Sequence, residues 1–166
     1  SLGLCGFTFW SQDTGGFVGS PTDDLYIRWT QCSTFQSHFR YHGTGPRYRE
    51  PWNYEIETQE IVKKYLNLRS QLAASVGLPL LCPLVLEFQT DPNVYNIEDQ
   101  FLCGRNLLIA PILTKENTRN IYIPEGIWYD YWTSEKLTGP KWISKTSNLD
   151  TIPIFIRAGS ILPLGP

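Results

Sequence analysis

The chain has 166 residues, with 14 basic and 16 acidic side chains, a formal net charge of -2 and 42% hydrophobic residues. A complete (β/α)8 barrel takes about 250 residues, so the length excludes one. The charge balance offers nothing to neutralise a phosphate backbone, which excludes nucleic acid as a partner, and no apolar run of about 18 residues provides a membrane span. The apolar content supports a packed core rather than a disordered chain.

In chain order, residues 4–10 (Leu-Cys-Gly-Phe-Thr-Phe-Trp) read as a buried strand. With Ser1 rather than Met at position 1 and a strand starting almost at once, the chain is expected to be a piece of a longer one. Ser11 to Phe17 form a loop that the pair Gly15-Gly16 lets bend sharply. A first helix is expected from about Ser20 or Thr22 to His38, with Asp23 and Asp24 favoured by the dipole of its first turn. Residues 40–54 are a long irregular segment of Arg, Tyr, Gly, Pro and Trp, and segments of that length are usually functional. A second helix over about 57–74 carries Ile61, Val62, Tyr65, Leu66, Leu68 and Leu72 on one face, stopped by Gly77 and Pro79. The apolar run 83–88 predicts a parallel strand buried on both faces.

Beyond Asp91-Pro92 the pattern changes. Residues 98–104 predict a short helical turn, and 107–113, 119–123, 127–133 and 152–162 predict short strands separated by turns. The expected fold is therefore α/β followed by all-β, with a boundary near residue 100.

Several residues are candidates for chemistry. Asp13 ends a strand, precedes two glycines and is flanked by Trp10 and Phe17, so it is placed to accept from sugar hydroxyls. It is equally a turn former bonding its own backbone. His42 is a donor to a sugar hydroxyl or a loop histidine packed on Tyr41 or Trp52. His38 reads as a packing residue. One or two of Arg40, Arg47 and Arg49 are expected to lock the loop to nearby carboxylates, for which the guanidinium fork is suited. Glu87 reads as a loop anchor. Glycoside cleavage needs two carboxyl groups, and Asp13, Glu50 and Glu87 are not paired by any local spacing. Cys5, Cys32, Cys82 and Cys103 form no close pair, so no zinc or redox motif is present. Four buried thiols are expected, in a reducing, cytoplasmic compartment. With no nucleotide loop either, no cofactor is expected.

Taken together, these stretches resemble glycoside hydrolase family 31. The likeness runs through residues 6–17 (Gly-Phe-Thr-Phe-Trp-Ser-Gln-Asp-Thr-Gly-Gly-Phe), Arg28-Trp29-Thr30-Gln31, Phe39-Arg40-Tyr41-His42-Gly43 and Arg49-Glu50-Pro51-Trp52. It continues through Gly77-Leu78-Pro79, residues 83–88, residues 100–104 and 107–111, then 124–133 and 152–160. It implies the last two units of a (β/α)8 catalytic barrel over residues 1–99, and the start of a C-terminal antiparallel β-sandwich over 100–166. It further implies a retaining, exo-acting α-glycosidase acting on terminal α-linked glucose or xylose. Asp13, Phe17 and His42 match the residues that hold the sugar in the non-reducing-end subsite, and Trp10 and Arg40 are counted with them as substrate-binding. The resemblance places the nucleophile and acid/base on earlier barrel strands, upstream of Ser1, so no catalytic residue is assigned here. The implied partners are an oligosaccharide or glycoside and the N-terminal part of the same enzyme. The alternatives are a non-catalytic carbohydrate-binding fragment and a structural fragment. The helix after Leu72 is shorter than the family's usual one. The pair His42-Gly43, where several α-glucosidases have His-Asn, points slightly toward xylose.

Overall fold

The computed structural model describes residues 2–5, 7, 9–44, 48–72 and 81–162. Two helices come first, α1 (Asp23–Ser33) and α2 (Ile56–Gln71). The strands are β1 (Leu81–Pro83), β2 (Phe101–Cys103), β3 (Leu107–Ile109), β4 (Thr118–Asp130), β5 (Lys136–Thr146) and β6 (Ile154–Arg157), with one helical turn, α3 (Leu84–Glu87), after β1. They form an antiparallel sheet in the order β1-β2-β3-β6-β4-β5. The architecture is thus α/β followed by all-β, a partial (β/α)8 barrel joined to part of a β-sandwich.

The sheet's centre is buried on both faces, and the side-chain period of two assigns each residue its side. Leu102, Leu108 and Phe155 point into one cluster with Ile121, Ile123 and Trp128. Their neighbours Phe101, Leu107, Ile109 and Ile154 point into the other, which holds Ile27 and Phe35 together with Ile61, Tyr65 and Leu68 of α2. The helices therefore cover one face and the β4–β5 hairpin curls over the other. Spacings of three and four residues put Thr58, Ile61, Val62, Tyr65 and Leu68 on the buried face of α2.

Two polar joints fix the helices. The Asp23 carboxylate on α1 accepts from Glu55 N at 3.1 Å and from Thr58 Oγ1 at 2.8 Å, at the N-terminus of α2. Arg28 donates to the Thr151 carbonyl at 2.7 Å and to Asn117 Oδ1 at 2.8 Å, and Gln31 to the Leu149 carbonyl at 2.7 Å. The stretch Arg28 to Gln31 is thus the clamp between helix and sheet.

Several expected elements differ. Among the described residues of 4–10 there is no strand: Leu2–Cys5 make a 3-10 turn, and 7, 9 and 10 have no regular structure. A parallel strand is held by ladder bonds along its edges. Here Trp10 N donates to Ser37 Oγ at 2.9 Å and the same hydroxyl donates to the Trp10 carbonyl at 2.8 Å, so one side chain serves both groups. The first helix ends at Ser33 rather than His38, where a run of hydroxyl residues weakens it and Thr34 Oγ1 bonds back to the Thr30 carbonyl at 2.8 Å.

Residues 83–88 split between the end of an antiparallel strand and the turn α3, because a short apolar run alone does not distinguish strand from helix. Residues 98–104 hold strand β2 instead of a helical turn. The two strands expected over 119–133 are one, β4, whose register slips between Ile123 and Gly126. Only Cys82 is buried, while Cys32 and Cys103 are half-buried and Cys5 is exposed. Burial pushes the thiols of Cys32 and Cys103 up to about 11 and about 12, so neither is a ready nucleophile. The helix stop at Gly77 and Pro79 and the shortened stretch after Leu72 lie outside the described residues, as does Arg47. Ser1, the residue upstream of which the two catalytic carboxyl groups are expected, lies outside them as well.

Candidate functional site

Two loops build the site. The first, residues 11–19, turns on Gly15, Gly16 and Gly19, whose φ angles of 88°, 83° and 81° suit glycine alone. The second, residues 39–44, runs beside it. A parallel bridge joins Thr14 to Tyr41, with Thr14 N donating to the Arg40 carbonyl at 3.1 Å. Further along, Thr44 N and Oγ1 both donate to the Phe17 carbonyl. A stack beneath the loops supports this pairing. Tyr26 of α1 lies 3.8 Å from the Tyr54 ring and 5.1 Å from the Tyr41 ring. Burial raises the Tyr26 phenol well above its ordinary value and raises the Tyr41 phenol too, so both stay protonated hydrogen-bonding groups.

The bridge brings four of the sequence candidates into two adjacent pairs. Arg40 Nε and Nη2 both donate to Asp13 Oδ1, at 3.0 and 2.7 Å. The Asp13 side chain is 25% exposed, and its Oδ2 meets no donor among the described residues. A carboxylate held by one oxygen presents the other in a fixed direction, suited to accepting from a hydroxyl. Beside it the Phe17 ring, 47% exposed, lies 5.4 Å from the exposed His42 ring. Arg40 is the arginine that locks loop to carboxylate, and His42 packs on Phe17 rather than on Tyr41 or Trp52. An apolar ring, a charged acceptor and an imidazole on two joined loops are side-chain types that suit a ligand with hydroxyls and an apolar face.

The remaining candidates lie elsewhere. Trp10 lines a separate hollow of about 340 Å³ with Gln36, Leu81 and Phe101. Glu50 accepts from Asn53 Nδ2 at 3.1 Å, and Glu87 pairs with Arg157 at 2.8 Å, so Glu87 is the expected anchor. His38 meets the edge of Phe9 at 6.3 Å, a packing role. Among the described residues no three His, Cys, Asp or Glu side chains gather as a metal ion would require.

One residue escaped the sequence reading of its role. Arg49 is buried and donates to the carbonyls of Gly16, at 3.0 Å from Nε, and of Gly19. The signal available in the sequence was the set of glycines whose bare backbones it contacts.

Residues 77–162 match the glycosyl hydrolase family 31 C-terminal domain, and residues 1–75 match the family 31 TIM-barrel domain. The chain is 41% identical over 177 residues to alpha-glucosidase 2 of Bacillus thermoamyloliquefaciens, with 99% of this chain and 22% of the relative covered. It is 38% identical over 182 residues to an alpha-xylosidase of Saccharolobus solfataricus, with 99% and 25% covered. The structure is similar to a family 31 dextranase of Flavobacterium johnsoniae complexed with glucose. That match has a TM-score of 0.91 at 33% identity and covers 99% of this chain and 22% of the other. The chain spans about a fifth to a quarter of the length of the curated relatives it matches.

Proposed function

The chain belongs to glycosyl hydrolase family 31, and from that premise we propose that it is part of a retaining, exo-acting α-glycosidase, in which Asp13 and His42 hold the terminal sugar. The observation that carries the reading is the bridge between Thr14 and Tyr41, which sets the Asp13–Arg40 pair beside the Phe17–His42 pair. The likeness to an alpha-glucosidase and an alpha-xylosidase supports the substrate class: a terminal α-linked glucose or xylose of an oligosaccharide or glycoside.

Each residue has a task in that setting. Arg40 fixes one oxygen of Asp13, and the other accepts from a sugar hydroxyl. Phe17 covers an apolar sugar face, and His42 donates to a neighbouring hydroxyl. Two carboxyl groups about 5–5.5 Å apart do the bond chemistry in a retaining enzyme. The family resemblance assigns both to barrel strands upstream of Ser1, so Asp13 binds and does not react. These 166 residues by themselves are therefore expected not to hydrolyse aryl α-glucosides or aryl α-xylosides. The partner that completes them is the rest of the same enzyme, which would supply the remainder of the barrel that residues 1–75 match and of the C-terminal domain that residues 77–162 match.

The test compares two variants of the full-length polypeptide. Asp13→Asn weakens a charged hydrogen bond worth about 1.5–3 kcal/mol, so kcat/KM is expected to fall roughly tenfold to hundredfold. Glu57→Gln, on the exposed first turn of α2, leaves it near wild type. Equal, near-wild-type kinetics for both would remove Asp13 from the sugar site.

A further inference from the structure

Arg49 is 4% exposed, and its side chain passes between the two loops of the site. Its Cδ lies 2.8 Å from where a Cβ on Gly15 would stand. Its Nε and Cζ lie 2.9 and 3.0 Å from where a Cβ on Gly43 would stand. Nε donates to the Gly16 carbonyl at 3.0 Å and Nη2 donates to the Gly19 carbonyl. The Arg49 carbonyl in turn accepts from the Tyr26 hydroxyl at 2.7 Å, which ties the residue to α1. Gly43 has no positive φ, so space rather than backbone conformation demands glycine there.

We propose that Arg49 is the positioning residue of the sugar site: its buried guanidinium fills the gap left by Gly15 and Gly43 and sets the spacing between Asp13 and His42. The proposal rests on the reading of those two residues as sugar-binding. One arginine touches both loops, holding the first by two carbonyls and abutting the second at Gly43. Asp13 precedes the glycines it contacts on one side, and His42 adjoins the glycine it contacts on the other. Removing the fork leaves the Gly16 and Gly19 carbonyls without that donor and lets the loops shift relative to each other. On this account Gly43 is glycine because the Gly16 carbonyl oxygen, 2.8 Å from where its Cβ would stand, and Arg49 together occupy its side-chain space, and the His42-Gly43 pair is no marker of xylose over glucose.

The experiment is steady-state kinetics of the full-length polypeptide on 4-nitrophenyl α-D-glucopyranoside and 4-nitrophenyl α-D-xylopyranoside. Arg49→Ala is expected to lower kcat/KM about tenfold or more, chiefly through KM, since at least one charged hydrogen bond is lost. Guanidinium ion added at millimolar concentration, below its denaturing range, should restore part of that loss by occupying the vacated channel. Arg49→Lys keeps the charge but not the fork, so it should raise KM while the enzyme still melts cooperatively. A merely structural residue would lower the folded fraction, and with it kcat, at unchanged KM and with no guanidinium rescue; that pattern overturns the proposal. If Arg49→Ala does not fold, Arg49→Lys alone decides it, and an unchanged KM overturns it. Should Asp13→Asn raise KM while both Arg49 variants keep it, the positioning role fails and the sugar site stands. If Asp13→Asn also leaves KM unchanged, the site assignment fails, and the positioning role fails with it.

Discussion

The segment from Leu4 to Trp10 and the strands β2, β3 and β6 are made of the same kinds of residue and end in opposite conditions. Leu102, Leu108 and Phe155 have no exposed surface, whereas Leu4, Phe7 and Phe9 are 54%, 58% and 74% exposed. The strands have neighbours: β3 pairs with β2 on one edge and β6 on the other, and β6 pairs with β3 and β4. Once both edges are bonded, alternate side chains enter two separate cores. Phe7 and Phe9 have the composition of a strand without a ladder, so their side chains face out. Apolar sequence nominates a strand, and a hydrogen-bonding neighbour makes one.

If the comparison is sound, truncations in the two regions must differ widely. Phe155→Ala removes a ring at the centre of the sheet and should cost about 3–5 kcal/mol. For a domain of this size that corresponds to a fall of roughly 6–20 °C in Tm. A thermal melt of the variant decides it, and a loss below about 1 kcal/mol would mean that the two faces are not packed as described.

A subtler difference concerns acid. Asp130 lies at the end of β4, where its Oδ1 accepts from Trp132 N and Thr133 N at 2.9 Å and Lys145 pairs with Oδ2 at 2.9 Å. Burial pushes this carboxyl up, but the bonds from Lys145, Thr133 and Trp132 outweigh it and leave the pKa below its ordinary 3.8. A folded-state pKa below the unfolded one means that the carboxylate stabilises the fold above about 3.8 and ceases to as pH falls through the depressed value. Asp130→Asn should therefore cost about 1.5–3 kcal/mol near neutrality. Denaturant titrations from pH 7 downward should show the gap to wild type closing in acid. A gap that stays constant with pH would assign the stabilisation to packing of the turn instead.

The same contrast explains what was legible in the sequence. The strands at 107–109 and 154–157 could be read because their apolar runs are short, bounded by turns and buried on both faces. Strand β5 escaped notice, since Lys136, Gly139, Pro140 and Lys141 look like a turn region. It is an edge strand, where lysine and proline are tolerated because one row of backbone groups bonds to nothing in the sheet. Pro124-Glu125-Gly126 read as a turn and is instead the irregularity that bends β4, with Gly126 opposite Gly139. In the site, Asp13, Phe17, Arg40 and His42 were legible because each stands beside glycines or aromatics in a loop. Arg49 was not, because it holds the first loop through the main-chain carbonyls of Gly16 and Gly19, for which the glycines themselves are the one trace in the sequence.

The smallest expected effect on stability belongs to the segment Leu4 to Phe9, and it is accompanied by a change in association. Phe9→Ser removes a ring that is already 74% exposed, so the stability of the folded chain should move by no more than about 0.5 kcal/mol. The exposed rings of Phe7 and Phe9 each forgo about 1.5–3 kcal/mol of burial, which contact between copies of the chain can recover. Of the sheet's two outer strands, β1 is only 3 residues long and β5 carries Lys136, Lys141 and Pro140 along it, and strands of both kinds resist pairing with a further chain. Association of the 166-residue chain should therefore run through residues 4–9. In sedimentation velocity the wild-type chain is expected to show oligomers at concentrations where a Phe7→Ser, Phe9→Ser double variant remains monomeric. Replacing Trp142, exposed on β5, with Ser should change the profile little. The reverse outcome, with the Trp142 variant monomeric and the phenylalanine variant associated, would place the adhesive surface on the sheet edge. The contrast between a covered sheet and an uncovered leading segment would then be wrong.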